Sequence, residues 1–452
     1  MNTSKGTVRC HLVLAGLAAG WAAYPALAQP YRFAAEDLGT LTDRTSVATA
    51  LADETAYVAG FSAISGNFSG EPWFMHACLW DGTRIRDLGV LGPDVPPNVF
   101  PKPESRGQGV NQLAHVVGRS AQPGQPWRPF LWLPSPAFGM PAGINPLPEL
   151  PGGASAAMAI NASDWIAGES RPPGSLGPHP VLWRYAGGQW TITDLGTLGG
   201  PYGRATALND AGQIVGQANV PGGDMHAFLW LPQPAYGLPA GMHDFAPGLG
   251  QAIATAVNER GQIVGYAGAG ASFLWLPEPA YGLPAGTTML SMSGVPNAAG
   301  AWPAGINDDG EIVGQVAQYF PHDRTEFHAF YWSPTDHTMW LLEGLLPPGT
   351  PWWLVNAAAI DRRGHIAAHG TSPAHPEMSH AAVLRRWRPC DINCDGTSNF
   401  ADINPFVLAL SDPAGYWAAY PDCNIYNADI NGDGLVDFDD INAFVDFCMQ
   451  PR

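Results

Sequence analysis

The chain has 452 residues, 46% hydrophobic and 13% charged, with a formal net charge of −18. That hydrophobic share excludes wholesale disorder, and the length suits one large repeat domain plus a small one. With Lys5 and Lys102 as the only lysines and no basic stripe, nucleic acid and anionic membrane are excluded as expected partners.

The N-terminus is the first readable element. Lys5 and Arg9 precede an apolar run that ends in Ala26-Leu27-Ala28. This pattern predicts a secretory signal over residues 1–28, cleaved after Ala28 and carrying Cys10 away with it. The mature chain is expected to be extracellular, without membrane insertion.

A motif of the type "ALNDAGQIVG" (207–216) then recurs. Its turn position falls at Asp53, Asn111, Asn161, Asn209, Asn258, Asn307 and Asp361, with steps of 58, 50, 48, 49, 49 and 54 residues. Seven residues after each stands a small residue: Gly60, Gly118, Gly168, Gly216, Gly265, Gly314 and Ala368. "DLG" or a weaker form precedes each motif, and a run such as "HAFLW" (226–230) follows it. Each unit therefore offers four short strands separated by turn residues. Four strands per unit of about 50 residues predict a propeller blade. The fold class expected is mainly β: a seven-bladed β-propeller of four-stranded blades over 29–387, followed by a small α-helical calcium-binding domain over 388–452. The motifs resemble the HAF-repeat extracellular proteins. That resemblance implies secretion and a propeller-like shape, with no general activity.

Periodic residues inside the repeats read first as architecture. Trp80, Trp132, Trp183, Trp230, Trp275 and Trp332 share one phase, as inter-blade packing requires. Off-phase Trp352 and Trp353 are the better sugar-contact candidates. His76, His179, His226, His328 and His380 also keep phase and read as one structural hydrogen bond per blade. His365, His369, His375 and His380 lie close in sequence, but strand residues four apart stand about 13 Å from each other, too far to share an ion. Three near-identical connectors, at 133–143, 231–241 and 276–286, carry Phe138, Tyr236 and Tyr281 and read as rigid packing on one face of the ring. No G-x-S-x-G, H-E-x-x-H or Gly-rich phosphate loop is present. Catalytic residues are unassigned.

The last 63 residues, 390–452, hold eleven Asp, no Glu and one Arg. Within them "DINCDGTSNFAD" (391–402) and "DINGDGLVDFDD" (429–440) fit the twelve-residue calcium loop, with oxygen ligands at positions 1, 3, 5, 7, 9 and 12. The expected ligands to two Ca²⁺ ions are Asp391, Asn393, Asp395, the Thr397 carbonyl, Asn399 and Asp402, then Asp429, Asn431, Asp433, the Leu435 carbonyl, Asp437 and Asp440. Helices are expected over 403–410 and 441–448. Two loop–helix units 38 residues apart resemble the dockerin module. The resemblance implies calcium-dependent folding and docking onto a cohesin-like domain of a scaffold or surface protein. Loop positions 10 and 11, where cellulosomal dockerins often carry Ser/Thr-type recognition residues, are here Phe400-Ala401 and Phe438-Asp439. Cys390, Cys394, Cys423 and Cys448 suggest two disulfides. Three connectivities are open; Cys390–Cys448 with Cys394–Cys423 is the expected one.

The leading reading is a non-catalytic ring, displayed through its dockerin-like tail, that binds carbohydrate or protein. The alternatives are a polysaccharide-degrading hydrolase or lyase and a purely structural surface protein.

Overall fold

The computed structural model describes residues 32–53, 55, 57–65, 74–93, 101–322, 324–347, 350, 352–372, 375–420, 423–431 and 435–448. The expected signal segment lies outside them. The repeats form seven four-stranded antiparallel sheets, the blades of a seven-bladed β-propeller. Blade 1 runs outward from the axis as Ser46–Leu51, Val58–Ser65, Phe74–Trp80 and Ile85–Asp87. Blades 2 to 6 repeat that order. Each inner strand touches the next, and the inner strand of blade 7, Trp353–Ile360, touches that of blade 1.

Blade 7 takes its outer strand from the other end of the chain. Arg32–Asp37 pairs antiparallel with Ser379–Trp387, with Phe33 opposite Arg386 and Asp37 opposite Ala382. The first "DLG", at 37–39, thus completes the last blade, so repeat and blade are out of frame by one strand.

Two local features recur because the inner strands crowd the axis. A bulge interrupts the inner pairing at the same place in each blade, as between Ala205 and Ala207 or Ala254 and Ala256. The extra residue in blade 4, Thr206, turns its hydroxyl to the Ala254 carbonyl of blade 5 at 2.7 Å. The glycine seven places after the turn is needed for close approach: a Cβ on Gly216 would stand 2.1 Å from the Arg204 carbonyl oxygen. In blade 7 a second bulge shifts the register, so Ala368 is accepted and the tight site moves to Gly370.

The core lies between the blades. Each of the seven interfaces has its own buried cluster; that of blades 4 and 5, for example, joins Leu229 and Leu231 to Phe273 and Trp275. The interface that closes the ring, between blades 7 and 1, is built of Ala48, Val58, Cys78, Trp80, Ala367 and Ala381 and holds mostly small side chains.

After Trp387 the chain turns helical: α1 (Ile403–Ser411), α2 (Pro413–Ala419) and α3 (Asp440–Cys448). α1 and α3 stand where the loop pattern places them. The α2 helix, absent from the sequence expectation, starts on Pro413 with Asp412 capping the Gly415 N–H. Phe406 of α1 stacks on Phe444 of α3 at 4.3 Å, over Tyr416, Ile392 and Cys390.

Candidate calcium loops and the axial face

The turn asparagines form a belt around the axis. Each side-chain amide donates to the main-chain carbonyl of the next blade's turn residue: Asn111 to Asn161 (3.1 Å), Asn161 to Asn209 (3.1 Å), Asn209 to Asn258 (2.9 Å), Asn258 to Asn307 (2.8 Å) and Asn307 to Asp361 (3.2 Å). Each side-chain oxygen caps its own turn, as Asn209 does for Gln213 N–H. One residue type thus closes a turn and ties two blades together.

Acidic side chains line the same axial face, and all are engaged. Asp210 accepts the Ala162 N–H at 2.8 Å, both oxygens of Glu259 accept the Asp210 N–H at 2.9 and 3.0 Å, and Asp308 accepts the Glu259 N–H at 2.9 Å. Asp53 accepts the Arg362 N–H at 3.1 Å. The Arg362 guanidinium reaches Asp308 (3.2 Å), Asp53 (3.6 Å) and Asp210 (4.0 Å), three different blades. Burial pushes Glu259 up to about 7 and also raises Asp53. These carboxylates serve as blade-to-blade links.

The in-phase histidines have partners that sequence reading missed. Nδ1 of His76, His179, His226 and His380 hydrogen-bonds Asp87, Asp194, Asp244 and Asp37 at 2.7–3.0 Å, and His328 meets Glu343 at 3.0 Å. The "DLG" aspartate and the "HAF" histidine are therefore one pair across the two outer strands of a blade. Their matching phase was the available signal. The phased tryptophans are buried, except Trp230, which is partly so. Trp352 is core, and Trp353 is half-exposed against the His328 ring. Tyr236 and Tyr281 pack against Gly261 and Gly310 of the following blade's turn. His375 stacks on His380, while His369 is half-buried and desolvation pushes it down to about 4. Among the described residues, no group of three His, Cys, Asp or Glu side chains is disposed to hold a metal.

The two C-terminal loops are built alike. Asp402 Oδ1 accepts the N–H of Ile392 (2.7 Å) and Asn393 (3.0 Å), and its Oδ2 that of Asn399 (2.8 Å). Asp440 repeats this with Ile430 (2.7 Å), Asn431 (3.0 Å) and Asp437 (3.0 Å). Asp391, Asp402, Asp429 and Asp440 are all buried. Asn393 and Asp395 make successive side-chain turns, Asn393 Oδ1 to Asp395 N–H and Asp395 Oδ1 to Thr397 N–H. The Thr397 carbonyl accepts from Asn399 Nδ2 at 3.3 Å. In the second loop Leu435 is exposed and Asp437 half-buried, and Asp433 lies outside the described residues.

The donor set suits a hard cation, since every position offers oxygen. Asp391 supplies the sharper fit: it is 3% exposed, and among the described residues its Oδ1 has no hydrogen-bond partner. Burial, then Asp402, raises its carboxyl above the usual range. An orphaned buried carboxylate oxygen is what a bound cation would satisfy.

Cys394 and Cys423 form a disulfide, as expected. Cys390 is buried, and the side chain of Cys448 lies outside the described residues. Phe400, Ala401, Phe438 and Asp439 are all exposed.

No protein-family model matches this chain, and no curated protein does. Solved structures that resemble it include YCF48 bound to D1 peptide, at 12% identity and a TM-score of 0.42, covering 78% of this chain and 96% of that one. TolB from Acinetobacter baumannii is similar at 10% identity and a TM-score of 0.38, covering 62% of each chain, so this chain spans less than two thirds of it. The native Bacillus subtilis arabinanase Arb43A is similar at 9% identity and a TM-score of 0.26, covering 79% and 97%. The propeller assignment rests on the strand order above.

Proposed function

We propose that this is a secreted propeller of the HAF-repeat kind carried on a dockerin-like module, which folds around two Ca²⁺ ions and docks onto a cohesin-like domain. The ring is left free to bind carbohydrate or protein. The observation that carries the docking reading is a duplicated exposed apolar stripe. On the first unit it is Phe400 (74% exposed), Ile403 (40%) and Val407 (55%); on the second, 38 residues on, Phe438 (75%), Ile441 (38%) and Val445 (45%). Large apolar side chains left in water at matching positions of two related units favour a partner surface. The spacing places each set on one helical face.

Calcium, when bound, would neutralise the converging carboxylates of each loop. Asp391, Asn393, Asp395, the Thr397 carbonyl, Asn399 and Asp402 would hold one ion; Asp429, Asn431, Asp433, the Leu435 carbonyl, Asp437 and Asp440 the other. The Asp402 and Asp440 amide contacts already hold each loop closed, and Phe406–Phe444 stacking sets the two helices face to face. Biolayer interferometry of the full chain against cohesin domains of several classes tests the docking. At least one should bind in calcium and release in chelator. A Phe400→Ala/Phe438→Ala double variant should bind it at least about tenfold more weakly, about 1.4 kcal/mol. Binding that persists in chelator, or none to any cohesin, would overturn it.

A further inference from the structure

We propose that the seam between blade 1, blade 7 and the C-terminal helices is a binding groove for a neutral oligosaccharide. A cleft of about 480 Å³ opens there between the outer strand of blade 7, the blade 1 hairpin at Gly82-Thr83, and Trp417 and Tyr426 of the C-terminal region. A second hollow of about 110 Å³ shares Glu36, Gly82, Thr83 and Arg385 with it and runs on to Trp80. The two together make an elongated trough in the size range of small-ligand sites.

The lining chemistry selects the ligand class. Trp417 is 39% exposed and Tyr426 partly so, giving flat apolar surfaces at the trough wall. Arg385 Nε donates to Glu36 Oε2 at 3.1 Å, so the one cation and one anion at the centre cancel. The charged groups of the smaller hollow are paired as well, Asp37 with His380, Arg84 with Asp81 and His365 with Asp361, so a net ionic ligand finds no unmatched charge to pair with. Arg385 is buried while Glu36 remains open to water, and the buried Asn424 lies beside them. At the far end the smaller hollow is closed by Trp80, which is 2% exposed. A pyranose chain offers what this trough asks for: apolar C–H faces for the aromatic rings, hydroxyl groups along its rim, and no charge.

This inference gives the ring's recognition role a place and a ligand class, and rests on that role; it does not rest on cohesin docking, which has its own readout. The test is calorimetric titration of the calcium-saturated full chain with cellotriose, xylotriose and mannotriose, and with trigalacturonate as the charged comparator. At least one neutral trisaccharide should bind saturably and quench tryptophan fluorescence, with trigalacturonate at least about tenfold weaker. Trp417→Ala should weaken binding at least about tenfold, Trp417→Tyr should restore most of it, and Phe327→Ala, at an exposed aromatic of blade 6 outside the trough, should leave it unchanged. Because Trp417 is half-exposed, both of its variants should keep the wild-type circular dichroism spectrum. Failure of all three neutral sugars to bind, tighter binding of trigalacturonate, or wild-type affinity in Trp417→Ala would each overturn the proposal.

Discussion

Glu259 is a side chain whose protonation bears on the stability of the ring. It is half-buried, its neighbours include Asp210 and Asp308, and burial pushes its carboxyl up to about 7 from an ordinary value of 4.5. A carboxyl raised in the folded state keeps its proton longer than the unfolded chain does, so folding is favoured by protonation. Stability from this group is therefore fully present at and below pH 4.5, falls as pH rises towards about 7, and is flat beyond. Glu259→Gln should remove that fall and raise the melting temperature above pH 7 relative to wild type, read from thermal unfolding across pH. An unchanged profile would show that Arg362 already screens the charge. That these acids meet at all was not legible in sequence: Asp53, Asp210, Glu259, Asp308 and Arg362 come from five repeats, and only ring closure makes them neighbours. The belt of asparagines was half legible. The αL-tolerant turn chemistry announced each Asn, but its amide's second bond, to the next blade, depends on a rotation between blades that no local pattern encodes.

At the scale of elements, the N-terminal strand is the fastener. Phe33 is fully buried, with its ring 5.8 Å from that of Tyr331 in blade 6. It shares a cluster with Leu345, Leu354 and Leu384. Phe33→Ala should cost about 3–5 kcal/mol, the usual range for emptying such a site, with a matching drop in denaturant midpoint. Glu36→Ala, on the same strand but half-exposed, should cost less, about 1–3 kcal/mol, because it leaves the buried Arg385 guanidinium without its carboxylate. The closing interface between blades 7 and 1 has a separate cluster, made of alanines and a few larger groups. Hydrogen bonds reinforce it: Ser46 Oγ accepts the Ala381 N–H at 2.9 Å, and Thr45 Oγ1 donates to the Ser379 carbonyl at 2.8 Å. Gly216→Ala tests the inner strands. Its Cβ would stand 2.1 Å from a backbone oxygen and 2.9 Å from the Phe228 ring, so loss of soluble folded protein or a fall in melting temperature of several degrees is expected.

The whole molecule joins two unlike units through a short, polar seam. Trp387 donates its indole N–H to the Tyr426 carbonyl, Arg388 N–H bonds Asn427 Oδ1 at 2.7 Å, and Cys390 N–H bonds the Asn427 carbonyl at 2.9 Å. The helical unit has its own small core around Phe406, Tyr416 and Phe444, separate from the blade clusters. Calorimetry of the full chain should therefore show two transitions, the lower one belonging to residues 390–448. Free calcium at about 100 times its dissociation constant should raise that transition by about 2.7 kcal/mol and leave the ring's transition in place. A single transition that calcium shifts as a whole would show that seam and ring unfold together, and a trace indifferent to chelator would remove the metal reading.

What the sequence by itself determined was whatever repeats. Strand count, blade number, turn positions, the two helices that carry Phe406 and Phe444, and the loop aspartates follow from spacing, because period and residue type act over a few residues at a time. What only the tertiary structure decided was whatever joins distant parts of the chain: which strand closes blade 7, the pairing of His380 with Asp37, the single guanidinium shared by acids of three blades, and the trough between ring and helices. Each of these joins residues distant in the chain, up to 343 positions for His380 and Asp37, set by closure of the circle, and no local pattern of side chains carries that information.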